Sequence, residues 1–219
     1  MSKARSDQAY HHGDLRNALI LKALEVLDEK GVAELSLREV ARETGVGHNA
    51  PYRHFKNKTE LLEALASVGF RKLKARNIRL ELEFAGDAET QLFESGMHLL
   101  LMATEQPRLF NLMFGGHIEL NNCGEELHKE AEESMQSLVK IIINGQQQGV
   151  FVKADVFKQA VGSMSMVQGL AMMVSSSGLL QQVGQDESQL RGLAVQVFDV
   201  LMDGLKSQQQ NNNGEDSSD

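Results

Sequence analysis

The 219-residue sequence holds one cysteine, Cys123, two prolines, Pro51 and Pro107, and no tryptophan. A single thiol closes no internal disulfide, so nothing calls for an oxidising compartment, and the expected one is the cytoplasm. No apolar run approaches the roughly eighteen residues that a bilayer crossing needs, so no membrane partner is expected. The stretch from Met1 to His12 is polar and has none of the apolar core of a secretory signal. With prolines this rare, beside abundant Leu, Ala, Glu, Gln and Met, helix is free to run almost everywhere. Period-two alternation is missing, and the one Asn-Gly pair, Asn144-Gly145, falls inside a helical pattern, so no strands are expected. GxSxG, HExxH, GxxxxGK and GxGxxG are all absent. The chain reads as all-α, not an enzyme, and without a cofactor.

What is there is unevenly charged. The formal net charge of -8 argues, taken whole, against a polyanionic partner. Divided along the chain it changes sign. Residues 1–76 hold 14 Lys and Arg against 10 Asp and Glu, and the remainder holds 8 against 20. A positive N-terminal segment on an acidic chain is the polarity of a DNA-reading head behind which sits a body that DNA repels.

Helical periodicity places a first helix over about 14–30, with Leu15, Leu19, Ala23, Val26 and Leu27 on one face and Gly31 as its stop. Ser36-Leu37-Arg38-Glu39 reads as a capping box opening a second helix to Thr44. Gly45-Val46-Gly47 breaks it. A third short helix is expected from about His48 to Phe55. Asn57-Lys58-Thr59-Glu60 is a second capping box, launching a long fourth helix towards Phe84. Ala85-Gly86-Asp87 is the clearest break and the expected domain boundary. Beyond it five helices are read near 88–104, 107–114, 124–148, 155–175 and 187–206, with Asp155 and Asp186 as starts and Gly178 and Gly184 in a connecting loop. No hydrophobic residue follows Ser207, so 207–219 is expected to be a disordered tail.

Two short helices joined by a tight glycine-containing turn are the geometry of a helix-turn-helix, here over about 36–55. The third helix would project His48, Asn49, Tyr52 and Arg53 outward. Asn pairs bidentately with adenine, Arg with guanine or phosphate, and Tyr with phosphate. Lys56 and Lys58 flank the start of the fourth helix, where backbone amides favour a phosphate.

Residues 13–73 resemble the DNA-binding domain of the TetR family of transcriptional regulators. Val40-Ala41, Gly45-Val46, Tyr52-Arg53-His54-Phe55 and Lys58-x-x-Leu61-Leu62 fall at that family's spacing. His12-Gly13-Asp14-Leu15-Arg16, the run Ala50 to Phe55 and the run Gln106 to Phe114 are similar to a branch named for a Trp-His-Gly signature. The resemblance implies an N-terminal three-helix domain followed, over 85–206, by a larger helical domain for effector binding and dimerisation. It implies that Ser36, Arg38, Gly47, Ala50 and His54 join His48, Asn49, Tyr52, Arg53, Lys56 and Lys58 at the DNA. Two positions depart from the pattern. Met164-Ser165-Met166-Val167-Gln168-Gly169 stands where the branch has Trp-Ser-x-Val-His-Gly, so no ligand-contact role is carried over. Pro51 stands where many members have an aliphatic residue, and since proline suits only a helix's first turn, the third helix should start late.

The acidic body is rich in methionine, which fits either an adaptable pocket or ordinary core filling. Phe93, Met97, Leu100, Phe110, Met113, Phe114, Met166 and Leu170 are the candidate pocket. His98, His117, Cys123 and His128 have no metal-ligand spacing, so no metal is expected. Glu119, Glu125 and Glu126 beside Cys123 should raise its pKa. The expected function is that of a homodimeric transcriptional repressor on a palindromic or pseudo-palindromic double-stranded operator, released by a small apolar effector. The dimer would be held by the last two helices. There Gly162, Ser163, Ser165 and Gly169 permit close approach, and Val195, Phe198, Leu201, Met202 and Leu205 form an apolar stripe. The alternative is an architectural DNA-binding protein of the same fold with no effector.

Overall fold

Helices begin in this chain where a short polar side chain can take up their free amides. Ser36 Oγ accepts from the Glu39 amide at 3.2 Å, Asn57 Oδ1 from Glu60 at 2.9 Å, and Asp87 from Thr90 at 2.9 Å. Asp155 accepts from Lys158 and Asp186 from Ser188, each at 2.9 Å. Each such cap is worth about 1 kcal/mol. The computed structural model describes residues 12–176, residue 183 and residues 186–206. Within these run α1 (His12–Glu34), α2 (Leu37–Thr44), α3 (Lys58–Glu83), α4 (Ala88–Glu105), α5 (Pro107–Phe114), α6 (Glu125–Gln147), α7 (Val156–Ser176) and α8 (Glu187–Leu205). No strand forms among the described residues, and an isolated bridge pairs Phe151 with Lys206. The expected tail and the loop at Gly178 and Gly184 lie outside the described residues.

Two sequence expectations are corrected here. Both capping boxes are half-made. The Glu39 carboxylate turns to Lys30 and Arg42 rather than back to Ser36, and Glu60 accepts from the Lys56 amide at 2.7 Å, one residue before the cap. The third helix shrinks to one 3-10 turn, Pro51–Arg53. Pro51 has no amide to donate to the Gly47 carbonyl, so α-helix cannot continue backward through it. Residues 48–50 instead form a turn closed by the Ala50 amide on Gly47 O at 2.8 Å, and Asn57 is already capping α3. There is room for one turn and no more.

The described residues divide into two compact units, those up to 68 with 108–128, and 69–107 with those from 129 onward. The division falls inside α3 and α6, each of which lends residues to both units. Ala85-Gly86-Asp87 is the corner between α3 and α4, within the second unit. In the first unit α1 packs on α2, and Leu19, Ala23, Leu27, Leu35, Val40, Phe55, Leu61 and Leu65 are fully or nearly fully buried. Gly31, with φ +80°, interrupts α1 where the sequence places its stop. Segment 108–128 is tied to α1 by polar contacts. Arg108 donates to Leu27 O at 3.2 Å, and Arg16 pairs with Glu126 at 2.6 Å while lying 5.5 Å over the Phe55 ring.

In the second unit α4, α7 and α8 pack on one another, and Ala88, Leu92, Ile142, Phe151, Ala160, Leu201 and Met202 form a continuous core. Gly145 is required there by close approach. A Cβ at that position would lie 2.0 Å from the Phe151 ring, which is why Asn144-Gly145 can sit inside a helix without marking a turn. The Val152 amide on Leu205 O at 2.7 Å holds the same corner to the end of α8.

Candidate DNA-binding interface

The turn between α2 and Pro51 sets the site. Gly45 closes α2 in the left-handed conformation, φ +73°, and its amide returns to Arg42 O. A side chain there would strain the backbone, so glycine keeps the turn tight. Leu37, Val40 and Ala41 bury the inner face of α2, and Pro51 and Phe55 anchor the following segment beneath. What this leaves outside is a row of polar side chains. Arg38, Gly47, His48, Asn49, Tyr52, Arg53 and Lys56 are exposed; Ser36, Ala50, His54 and Lys58 are half-buried. Tyr52 is 47% exposed, so its ring is not core. Among the described residues neither Arg38 nor Arg53 is held in an ion pair, and both remain available to a polyanion.

Other charged residues nearby are already engaged. Arg42 donates to Glu39 at 2.6 Å and to Glu43 at 2.7 Å. Hydrogen bonds from Arg42 and then Lys30 hold the Glu39 carboxyl down to about 2. Lys56 pairs with Glu60 at 3.2 Å across one helical turn. Lys58 differs most from the sequence expectation. Its ammonium donates to Val32 O at 2.5 Å and Ala33 O at 3.2 Å, fastening the start of α3 to the end of α1. That contact is tertiary, and no local pattern announces it.

The candidate effector residues divide between the units. Phe93, Met97, Leu100 and Leu170 line an apolar void of about 20 Å3 between α4, α7 and α8. Phe110 and Met113 are buried on α5 with Phe114, whose ring lies 5.2 Å from Phe110, in the first unit. Met166 is exposed on α7. Sequence reasoning missed other parts of the wall, Val167 and Ala194 among them, and gave Phe198 to the dimer stripe, because only the pairing of α4 with α7 and α8 brings them together. It also assigned most of the α8 stripe to the wrong side. Leu201, Met202 and Leu205 are buried inside the unit and Phe198 is half-buried; Val195 and Val200 face out. Ser163 is buried too, its hydroxyl on Gln159 O at 2.8 Å, whereas Gly162, Ser165 and Gly169 are exposed.

Cys123 Sγ donates to Leu120 O at 3.2 Å, and burial, followed by the Glu63 charge, raises its pKa; the glutamates next to it in sequence are not the cause. Among the described residues no three His, Cys, Asp or Glu side chains gather into a metal-binding group, and no helix is long and apolar enough to cross a membrane.

Residues 19–65 match the family model of the bacterial regulatory proteins, tetR family. Over 53 residues the chain is 49% identical to the class C tetracycline repressor protein of Escherichia coli, which is 24% of each chain. Over 100 residues it is 28% identical to the transcriptional regulator AcrR of Shigella flexneri, 46% of each. The chain thus spans less than half the length of these curated relatives. A solved structure of a protein with unknown function from Rhodococcus sp. RHA1 is similar over 92% of this chain and all of its own, with 29% identity and a TM-score of 0.76. The chain carries a TetR-family N-terminal domain and is a homologue of the DNA-binding transcriptional regulators of that family.

Proposed function

We propose that the protein is a homodimeric, sequence-specific repressor that reads a palindromic or pseudo-palindromic operator and leaves it when a small apolar effector binds the second unit. The observation that carries the reading is the exposed row Arg38, His48, Asn49, Tyr52 and Arg53 on a helix-turn-helix whose inner face is buried. These side chains match base edges and phosphates in kind, and neither arginine is spent on an internal partner. Ser36, Gly47, Ala50, His54 and Lys56 flank the row and would meet the sugar-phosphate backbone. One short segment touches too few bases for genomic specificity, so two copies on paired half-sites are needed.

The dimer face is read on α7 and α8. Phe157, Val161, Met166, Met172 and Met173 on α7, with Val195 and Val200 on α8, are all exposed, Phe157 at 62% and Val200 at 63%. Gly162, Ser165 and Gly169 beside them on α7 are exposed as well and let a facing helix approach. An apolar face of this extent on a water-exposed helix pair is an association surface. The effector part rests on the apolar void in the second unit and on kinship with a repressor named for tetracycline. The cytoplasm is the compartment this function requires. Selecting bound sequences from random DNA tests the reading, because a dimeric reader enriches two inverted half-sites at one spacing.

A further inference from the structure

We propose that the void between α4, α7 and α8 is the floor of a binding site for a compact, uncharged ring compound, closed in this structure by Phe198 acting against Phe93. The proposal deepens the effector reading and rests on it. The void has about 20 Å3 and no polar side chain lines it, so it offers apolar contacts and no side-chain hydrogen bond. The same two residues also line a surface groove of about 340 Å3, together with Asp87, Glu89 and Thr90. In this proposal Phe93 and Phe198, common to both spaces, are the wall between them.

The two rings are not held equally. They meet edge to face, centroids 5.0 Å apart at 74°. The Arg191 guanidinium lies 5.5 Å over the Phe93 ring and itself pairs with Glu94 at 3.0 Å, so turning Phe93 outward gives up a contact that Phe198 does not have. Phe198 carries no such cover and is half-buried. It is the leaf that moves. Rotation of its side chain leaves a phenyl-sized space continuous with the void beneath and the groove outside.

The room has to come from this side. α4 and α7 already touch at Gly96, where an added Cβ would stand 3.3 Å from a Val167 methyl, so their seam has no slack. The walls then fix the ligand class. Met97, Leu100 and Leu170 offer dispersion contacts and no hydrogen bond, so an ionised group would have to shed its water without compensation.

The test uses naphthalene as probe on the full chain, followed by its own fluorescence and by calorimetry. Wild type should bind one naphthalene per chain. Ala194→Val, which fills the void from α8, should weaken binding by about tenfold or more. Phe198→Leu, which removes the ring that moves, should speed association and dissociation alike by about fivefold. Failure of wild type to bind overturns the proposal, as does equal binding by wild type and Ala194→Val, or unchanged rates in Phe198→Leu. If Ala194→Val does not fold, the rates of Phe198→Leu still decide. Release from the selected operator, measured in parallel, separates the two readings. Binding with these variant effects but without release supports the site and contradicts the effector reading. Release that persists in Ala194→Val contradicts this site and leaves the effector reading standing.

Discussion

Asn49 and Lys58 stand nine residues apart and show how differently two polar side chains of one motif are used. Asn49 is exposed in the turn before Pro51, and the 3-10 turn that follows has no side-chain cap, so Asn49 is not occupied in stabilising it. Asn49→Ala should cost about 1–3 kcal/mol per half-site on the preferred operator, with the melting temperature and binding to scrambled DNA unchanged. Equal losses on both DNAs with a lowered melting temperature would make Asn49 structural. Lys58 is predicted to behave in the opposite way. Its hydrogen bonds to Val32 O and Ala33 O make it a fastener, so Lys58→Ala should lower the melting temperature while leaving the salt dependence of DNA binding as it was. A phosphate-binding lysine would instead flatten the salt slope by about one unit per subunit, without a thermal cost.

At the scale of elements, α4 carries a built-in pH dependence. Burial, then the charges of Arg76 and Lys72, lower the pKa of His98, and among the described residues its Nε2 has no hydrogen-bond partner. The folded chain therefore resists protonation that the unfolded chain accepts near the ordinary histidine value. Stability from this group is present above about pH 6.5 and is lost as pH falls from there towards the folded pKa. Thermal melts between pH 7.5 and 5.5 should show a decline that His98→Phe reduces; parallel declines in both proteins would remove His98 as the cause. Elements were also where the sequence was most legible. The caps at Ser36, Asp155 and Asp186, the stop at Gly31 and the break at Ala85-Gly86-Asp87 are local, and they placed α1, α2, α4, α7 and α8 within a few residues. The third helix failed because its shortness comes from two constraints acting together, the missing amide of Pro51 behind and the Asn57 cap ahead. The exposure of Arg38, His48, Asn49, Tyr52 and Arg53 was legible because a buried inner face fixes an outer one. The engagement of Lys58 and the inward turn of Leu201, Met202 and Leu205 were not, because both depend on which helix lies opposite.

At the scale of the molecule, the net charge of -8 and the proposed DNA-reading role are reconciled by where the charge sits and by the exposed cations Arg38 and Arg53. The apolar α7–α8 face bears on assembly. Val200→Asp puts a carboxylate in the middle of that face, away from the buried core, and should convert a dimer into a folded monomer by sedimentation at micromolar concentration, with operator affinity lost. A Val200→Asp chain that stays dimeric would place the interface elsewhere. The central claim, that residues 48–53 presented by a dimer read sequence, is tested most directly by selecting bound DNA from a random pool with wild type and Asn49→Ala side by side. The account predicts one motif of two inverted half-sites for wild type, with preference flattened at one position in each half for the variant. No enrichment over the starting pool, or the same motif from both proteins, would contradict it.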